Sequence, residues 1–116
     1  MKLRESVLRG FTQRIPTPVG TAFVTISGND SGPRECFINV GKAGSDIQAD
    51  AEAIGRLISL VLCLPDGLTA QQRIEAIIEQ IGDIGGARQG YETVKSLPDG
   101  VAHALGGIDV RENVSV

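Results

Sequence analysis

The sequence predicts an α+β domain: a three-stranded antiparallel meander packed on a long buried helix and followed by two shorter helices. Three observations carry that expectation. Asp46 to Leu64, DIQADAEAIGRLISLVLCL, sets Ile47, Ala51, Ile54, Ile58, Val61 and Leu62 at the three-and-four spacing of one helical face. Thr21 to Ile26 alternates Thr21, Phe23 and Thr25 with Ala22, Val24 and Ile26, the two-residue period of a strand with two distinct faces. Ile74, Ile77, Ile78 and Ile81 then form a second helical stripe. A chain of 116 residues fits a single domain, and at this size about two thirds of the unfolded surface can be buried.

In chain order, residues 1–10 form an N-terminal arm with mixed charge and little periodicity, residues 11–106 the domain, and residues 107–116 a C-terminal tail. Phe11 to Ile15 is the first strand, and Pro16, Pro18 and Gly20 supply the dihedral constraints of a hairpin turn. Thr21 to Ile26 is the second strand. Gly28 to Pro33 is a loop by composition, and Glu35 to Val40 resumes the alternation with Cys36, Ile38 and Val40 on one side. The glycine-rich approach Asn39 to Ser45 then delivers the chain to the long helix. Ser45 with Gln48 three residues on reads as a capping box, and Pro65 makes helix geometry unfavourable for Leu64. Beyond Gly55 the polar face nearly vanishes, because Leu57, Leu60, Cys63 and Leu64 fill the remaining angles; a helix apolar all round is expected to be buried all round. Gly55 itself costs about 1 kcal/mol relative to alanine in a helix, which implies a close approach by another backbone. Thr69 with Gln72 is a second capping box, opening a helix that Gly82 ends. Gly85 to Gly90 is a loop. Ser96 caps the last helix, with Pro98 in its first turn and Asp99 near the positive end of its dipole, and Gly106-Gly107 stops it.

The net charge of -3 gives no electrostatic reason to expect nucleic acid or an anionic membrane as partner. An aromatic content of 3%, with no Trp, leaves almost no material for base stacking. The longest apolar run, Leu60 to Leu64, is far too short to span a bilayer, and the expectation is a soluble cytoplasmic protein. Cys36 and Cys63 share no Cys-x-x-Cys spacing and have no cluster of histidines beside them, so both are expected to be buried free thiols and no metal site is expected.

Candidate binding residues lie in the glycine-rich loops. Gly41-Lys42-Ala43-Gly44-Ser45 enters a helix and can present backbone N–H groups and a lysine to an anion, although it has neither the phosphate-loop nor the dinucleotide spacing. The same glycines equally serve a tight strand-to-helix turn. Arg88, in the second glycine loop, suits a phosphate or carboxylate, and the helix start with Ser96 and Asp99 adds partial positive charge nearby. If these loops form one face, Lys42 and Arg88 share it. His103, the only histidine, has no nucleophile and acid paired with it in sequence and is expected to face solvent. Asp46, Asp50 and Glu52 are explained by the helix dipole, so no catalytic residue is expected.

Four blocks occur in order: Gly20-Thr21-Ala22-Phe23-Val24-Thr25-Ile26; Cys36-Phe37-Ile38-Asn39-Val40-Gly41-Lys42-Ala43-Gly44; Glu52-Ala53-Ile54-Gly55-Arg56-Leu57-Ile58-Ser59-Leu60; and Ser96-Leu97-Pro98-Asp99-Gly100-Val101-Ala102-His103-Ala104-Leu105. Together they resemble the TSCPD domain, which occurs in the C-terminal part of many adenosylcobalamin-dependent (class II) ribonucleotide reductases and as small separate proteins. The resemblance implies a role in deoxyribonucleotide and hence DNA synthesis. It also implies a catalytic reductase chain as partner and adenosylcobalamin as the cofactor of the holoenzyme, none being bound by this chain alone. Family cysteines expected after the second helix and at Leu97 are replaced here, and the reductase barrel needs several hundred residues that this chain does not contain. The implied role is therefore an accessory subunit or detached domain, not catalytic alone. The alternative is a free-standing nucleotide-binding or protein-interaction module, and homo-oligomerisation is open in either case.

Overall fold

The computed structural model describes residues 9–85 and 93–107; residues 1–8 of the expected arm, residues 86–92 with Arg88, and residues 108–116 of the expected tail lie outside the described residues. Strands β1 (Arg9–Thr17), β2 (Gly20–Asn29) and β3 (Gly32–Asn39) form an antiparallel sheet in the order β1-β2-β3. Helices α1 (Asp46–Leu62), α2 (Ala70–Ile81) and α3 (Leu97–Gly106) follow, so the α+β meander is as the sequence predicts.

The hairpins are tighter than composition suggests. Thr17 pairs with Gly20, leaving Pro18 and Val19 as the turn, and Pro16 sits inside β1 opposite Thr21, tolerated because β1 is an edge strand. Asn29 pairs with Gly32, so the expected loop from Gly28 to Pro33 is mostly strand and only Asp30 and Ser31 turn. Its glycines permit this closeness: Gly32 has φ +107°, and a Cβ on Gly28, at the bulge beside Ser27, would lie 2.2 Å from the Gly32 carbonyl oxygen. The Ser31 N–H donates to Asn29 Oδ1 at 2.8 Å and fixes the turn.

One sheet face is the core. Ala22, Val24 and Ile26 of β2 are fully buried, and Cys36, Ile38 and Val40 continue the surface on β3 and its exit. α1 packs chiefly on β3 and α3 on β1 and β2, while α2 lies against α3 and touches α1. The capping boxes differ in outcome. At Thr69 the hydroxyl accepts from Gln72 N–H while Gln72 Oε1 accepts from Thr69 N–H, as expected. At Ser45 only the first half forms, since the Gln48 side chain turns to the sheet instead.

Two expectations about α1 are corrected. It stops at Leu62, with Cys63 as its cap, and it is not buried all round. Ala51, Gly55, Ile58 and Leu62 face the core, whereas Leu57 is 62% and Leu60 58% exposed. Sheet and α2 cover only part of the helix circumference, and no further layer lies over its outer side among the described residues. Cys63 is exposed rather than buried, while Cys36 is buried as expected. The opposite sheet face is also open: Phe23 and Phe37 are 43% and 51% exposed there, beside Thr12 and Arg14.

Candidate functional site

The turn from Gly41 to Gly44 is exposed throughout, with Gly41 at φ +71° and Gly44 at φ +84°, dihedrals that a glycine adopts without strain. Ser45 holds it to α1. The Ser45 hydroxyl donates to the Lys42 carbonyl at 2.6 Å and accepts from Gln48 N–H at 3.2 Å, and Ser45 N–H donates to the same carbonyl at 3.1 Å. Its oxygen is thus committed within the turn. The exposed Lys42 forms no ion pair with any of the described residues.

The second cluster lies at the start of α3. Ser96 accepts from Asp99 N–H at 3.2 Å, and its hydroxyl donates to the Ile84 carbonyl. Asp99, 2% exposed, accepts from Asp83 N–H at Oδ1 and from Lys95 N–H at Oδ2, both at 2.8 Å. His103, exposed as expected, places Nε2 3.5 Å from Oδ2, and Lys95 Nζ bridges to Asp83 Oδ1 at 3.1 Å. Burial pushes the Asp99 pKa up, but the two N–H donors, with His103 and Lys95 nearby, outweigh it and hold the carboxyl below the usual range. Asp99 and Ser96 therefore clasp the chain after α2 to the start of α3, and their polar atoms are already engaged.

Topology brings both helix starts to one end of the sheet. Ser45 follows the exit of β3, and a Cβ on Gly100 of α3 would lie 2.9 Å from Thr17 Cγ2 at the end of β1. Lys42 and the Ser96–Asp99 cluster hence belong to the same end, on opposite edges of a sheet about 10 Å wide between its outer strands. Arg88 lies outside the described residues, so its share in that face stays an expectation.

A third group is polar and was not legible as a set. On the edge strand β3 the backbone groups turned away from β2 need partners. Ser59 accepts from Cys36 N–H at 2.9 Å and donates to the Cys36 carbonyl at 3.3 Å. Gln48 accepts from Val40 N–H at 2.8 Å and donates to the Ile38 carbonyl at 3.3 Å, and the Cys63 thiol reaches the Arg34 carbonyl at 3.3 Å. Gly55 lets α1 come this near, since a Cβ there would sit 2.9 Å from the Cys36 oxygen. Their regular placement along one side of α1 was the available signal. Its purpose is to close a sheet edge, and beside it burial pushes the Cys36 thiol up to about 12, which keeps that thiol protonated and unreactive.

The described residues contain no group of three or more His, Cys, Asp or Glu side chains placed to hold a metal ion, and no helix among them is long and apolar enough to cross a membrane. Compared with known proteins, the chain matches the family model of the TSCPD domain over residues 1–107. No curated protein matches it, and no solved structure does.

Proposed function

The chain belongs to the TSCPD domain family, and from that membership we propose that it is an accessory subunit or detached domain of an adenosylcobalamin-dependent ribonucleoside-diphosphate reductase, supporting deoxyribonucleotide synthesis without carrying the radical site. The family is associated with ribonucleotide reductases. The observation that carries the reading is the extent of the match, which covers all but the last nine of the 116 residues. Chemistry within the chain agrees with an assisting role: of its two cysteines, Cys36 is buried with its pKa raised to about 12, leaving Cys63 without a reactive thiol partner. Adenosylcobalamin would belong to the holoenzyme, a reading supported by the space between sheet and helices, which Val24, Ile26, Val101 and Leu105 fill where a corrin would need a broad cleft.

The open sheet face, with Phe23 and Phe37, is the surface we assign to the catalytic chain. The test mixes this chain with the catalytic chain of a cobalamin-dependent reductase from the same organism and follows complex formation and ribonucleotide turnover. Binding that changes turnover, and that Phe23→Ser with Phe37→Ser abolishes, supports the proposal. Neither binding nor any change in turnover refutes it. The second reading, a free-standing nucleotide-binding or interaction module, draws on the exposed Gly41–Gly44 turn with Lys42 at the same end of the sheet as α3. It requires that Lys42→Ala and Arg88→Ala weaken nucleotide binding while leaving the folded fraction unchanged, because exposed charges contribute little to stability.

A further inference from the structure

We propose that β1 pairs antiparallel with β1 of a second copy across a two-fold axis at Thr12, joining two three-stranded sheets into one of six strands. The two edges of the sheet differ. Along β3, α1 takes up the outward backbone groups one after another: the Arg34 carbonyl, the Cys36 N–H and carbonyl, the Ile38 carbonyl and the Val40 N–H all bond to side chains of Cys63, Ser59 and Gln48. Along β1 nothing comparable occurs among the described residues. Thr17 and Gly20 close a two-residue turn, which makes them a hydrogen-bonded pair, and such pairs alternate along an antiparallel ladder. Ile15, Gln13, Phe11 and Arg9 therefore bond to β2, whereas Gly10, Thr12, Arg14 and Pro16 turn their backbone groups outward. The first three are exposed, and their backbone groups form no hydrogen bond with any other described residue. An open ladder of this kind is completed by one more strand.

The residues of β1 select a second copy as that strand. Pro16 has no N–H to give, so the usable stretch runs from Gly10 to Arg14 and is centred on Thr12. An antiparallel copy centred on the same residue sets Gly10 against Arg14 of the second copy and Thr12 against Thr12, and every outward N–H from Gly10 to Arg14 finds a carbonyl. Moving the axis to Gln13 brings Pro16 opposite Gly10 and loses a donor at each end. Moving it to Phe11 leaves Arg14 beyond the end of the facing β1. The side chains fit the same register. On the inner face Phe11 and Ile15 are only half-buried, because the sheet ends beside them, and in the pairing each Phe11 stands diagonal to Phe11 and Ile15 of the second copy, within aromatic reach. On the outer face Arg14 lies opposite Gly10, which has no side chain to oppose it. The two Arg14 positions are about 14 Å apart along the pair, so their repulsion is largely screened at physiological salt. Arginine and proline are residues that blunt exposed edges, and here they restrict the pairing to one register.

Size sets the strength. So short a ladder buries well under the roughly 800 Å² per partner of a standard interface, and dissociation belongs at about 0.1 to 1 mM. This inference does not rest on the reductase reading, because it is measured without any catalytic chain. Sedimentation equilibrium of the full chain from about 0.05 to 3 mM is expected to show a reversible monomer–dimer equilibrium. Hydrogen exchange read by NMR locates the contact: between the ends of that range the Gly10, Thr12 and Arg14 amides should slow about 3-fold or more, while those of Phe11, Gln13 and Ile15 stay slow throughout. Thr12→Pro removes the two central donors at an outward position like that of Pro16, where the edge strand already accepts proline, and should raise the dissociation constant about 10-fold or more. Leu57→Asp with Leu60→Asp, on the outer side of α1, should leave it unchanged. Should Thr12→Pro not fold, the exchange pattern of the parent chain decides. A monomer throughout the range, a dimer indifferent to Thr12→Pro, a dimer lost with the two leucines, or exchange at Gly10, Thr12 and Arg14 that does not change with concentration, as a strand supplied by the same chain would give, would overturn the proposal.

Discussion

At the scale of single residues, Asp99 and the two cysteines make the clearest claims. The Asp99 pKa is depressed in the folded state, so its contribution is present above the unfolded carboxylate range and is lost as pH falls through the lower folded value. Stability measured by urea unfolding should therefore carry an acid-dependent loss that begins in the usual carboxylate range, runs down through the lower folded value and is missing in Asp99→Ala. At neutral pH that substitution should cost about 1 to 3 kcal/mol, because the part-buried N–H groups of Asp83 and Lys95 lose their acceptor. For the thiols, a colourless disulfide reagent that releases a coloured product should report one fast equivalent per native chain, from Cys63, and a second only on unfolding. Two fast equivalents would show that Cys36 is not sequestered. The position of Asp99 at a helix start was legible in the sequence as favourable to a carboxylate. Its bond to Asp83 was not, because that contact spans 16 positions and exists only once α2 and α3 have docked.

At the scale of elements, α1 concentrates the energetics. Ile58, 4% exposed, sits in the middle of its core face, and Ile58→Ala should cost about 2 to 5 kcal/mol, the range for emptying a buried aliphatic site. Gly55→Ala separates two effects of opposite sign. Helix propensity favours alanine by about 1 kcal/mol, but the added methyl would approach the Cys36 carbonyl oxygen to 2.9 Å and push the helix off the sheet edge. Overpacking of about 1 to 3 kcal/mol should win, and a variant more stable than the parent would show that α1 rides higher on β3 than the structure has it. The caps at Ser45, Thr69 and Ser96 were readable because capping is local. The fate of Gln48 was not, because the same amide could serve its own helix start or the free edge of β3, and the unsatisfied edge groups outrank a start that Ser45 already caps.

At the scale of the whole molecule, the purified chain should reduce no ribonucleotide when supplied with adenosylcobalamin and a dithiol. Turnover in the absence of any other chain would contradict the assisting role and the inert placement of Cys36. The sequence by itself determined the family, the α+β class, the meander order, the core faces of β2 and β3, and the start of every helix. Those features depend on period, on residue type and on neighbours within four positions, and each is written in a short stretch of chain. Tertiary structure alone decided what stood outside. Apolar residues around all sides of α1 say only that every side can be buried, while β3 and α2 supply cover for one part of its circumference and leave Leu57 and Leu60 in solvent. In the same way, Lys42 and the start of α3 come to one end of the sheet, and Ser59, Gln48 and Cys63 come to one strand edge, because the fold returns α1 and α3 across the same sheet face. Such placement depends on which layers happen to be present, and a local pattern cannot specify a neighbour that lies far away in the chain.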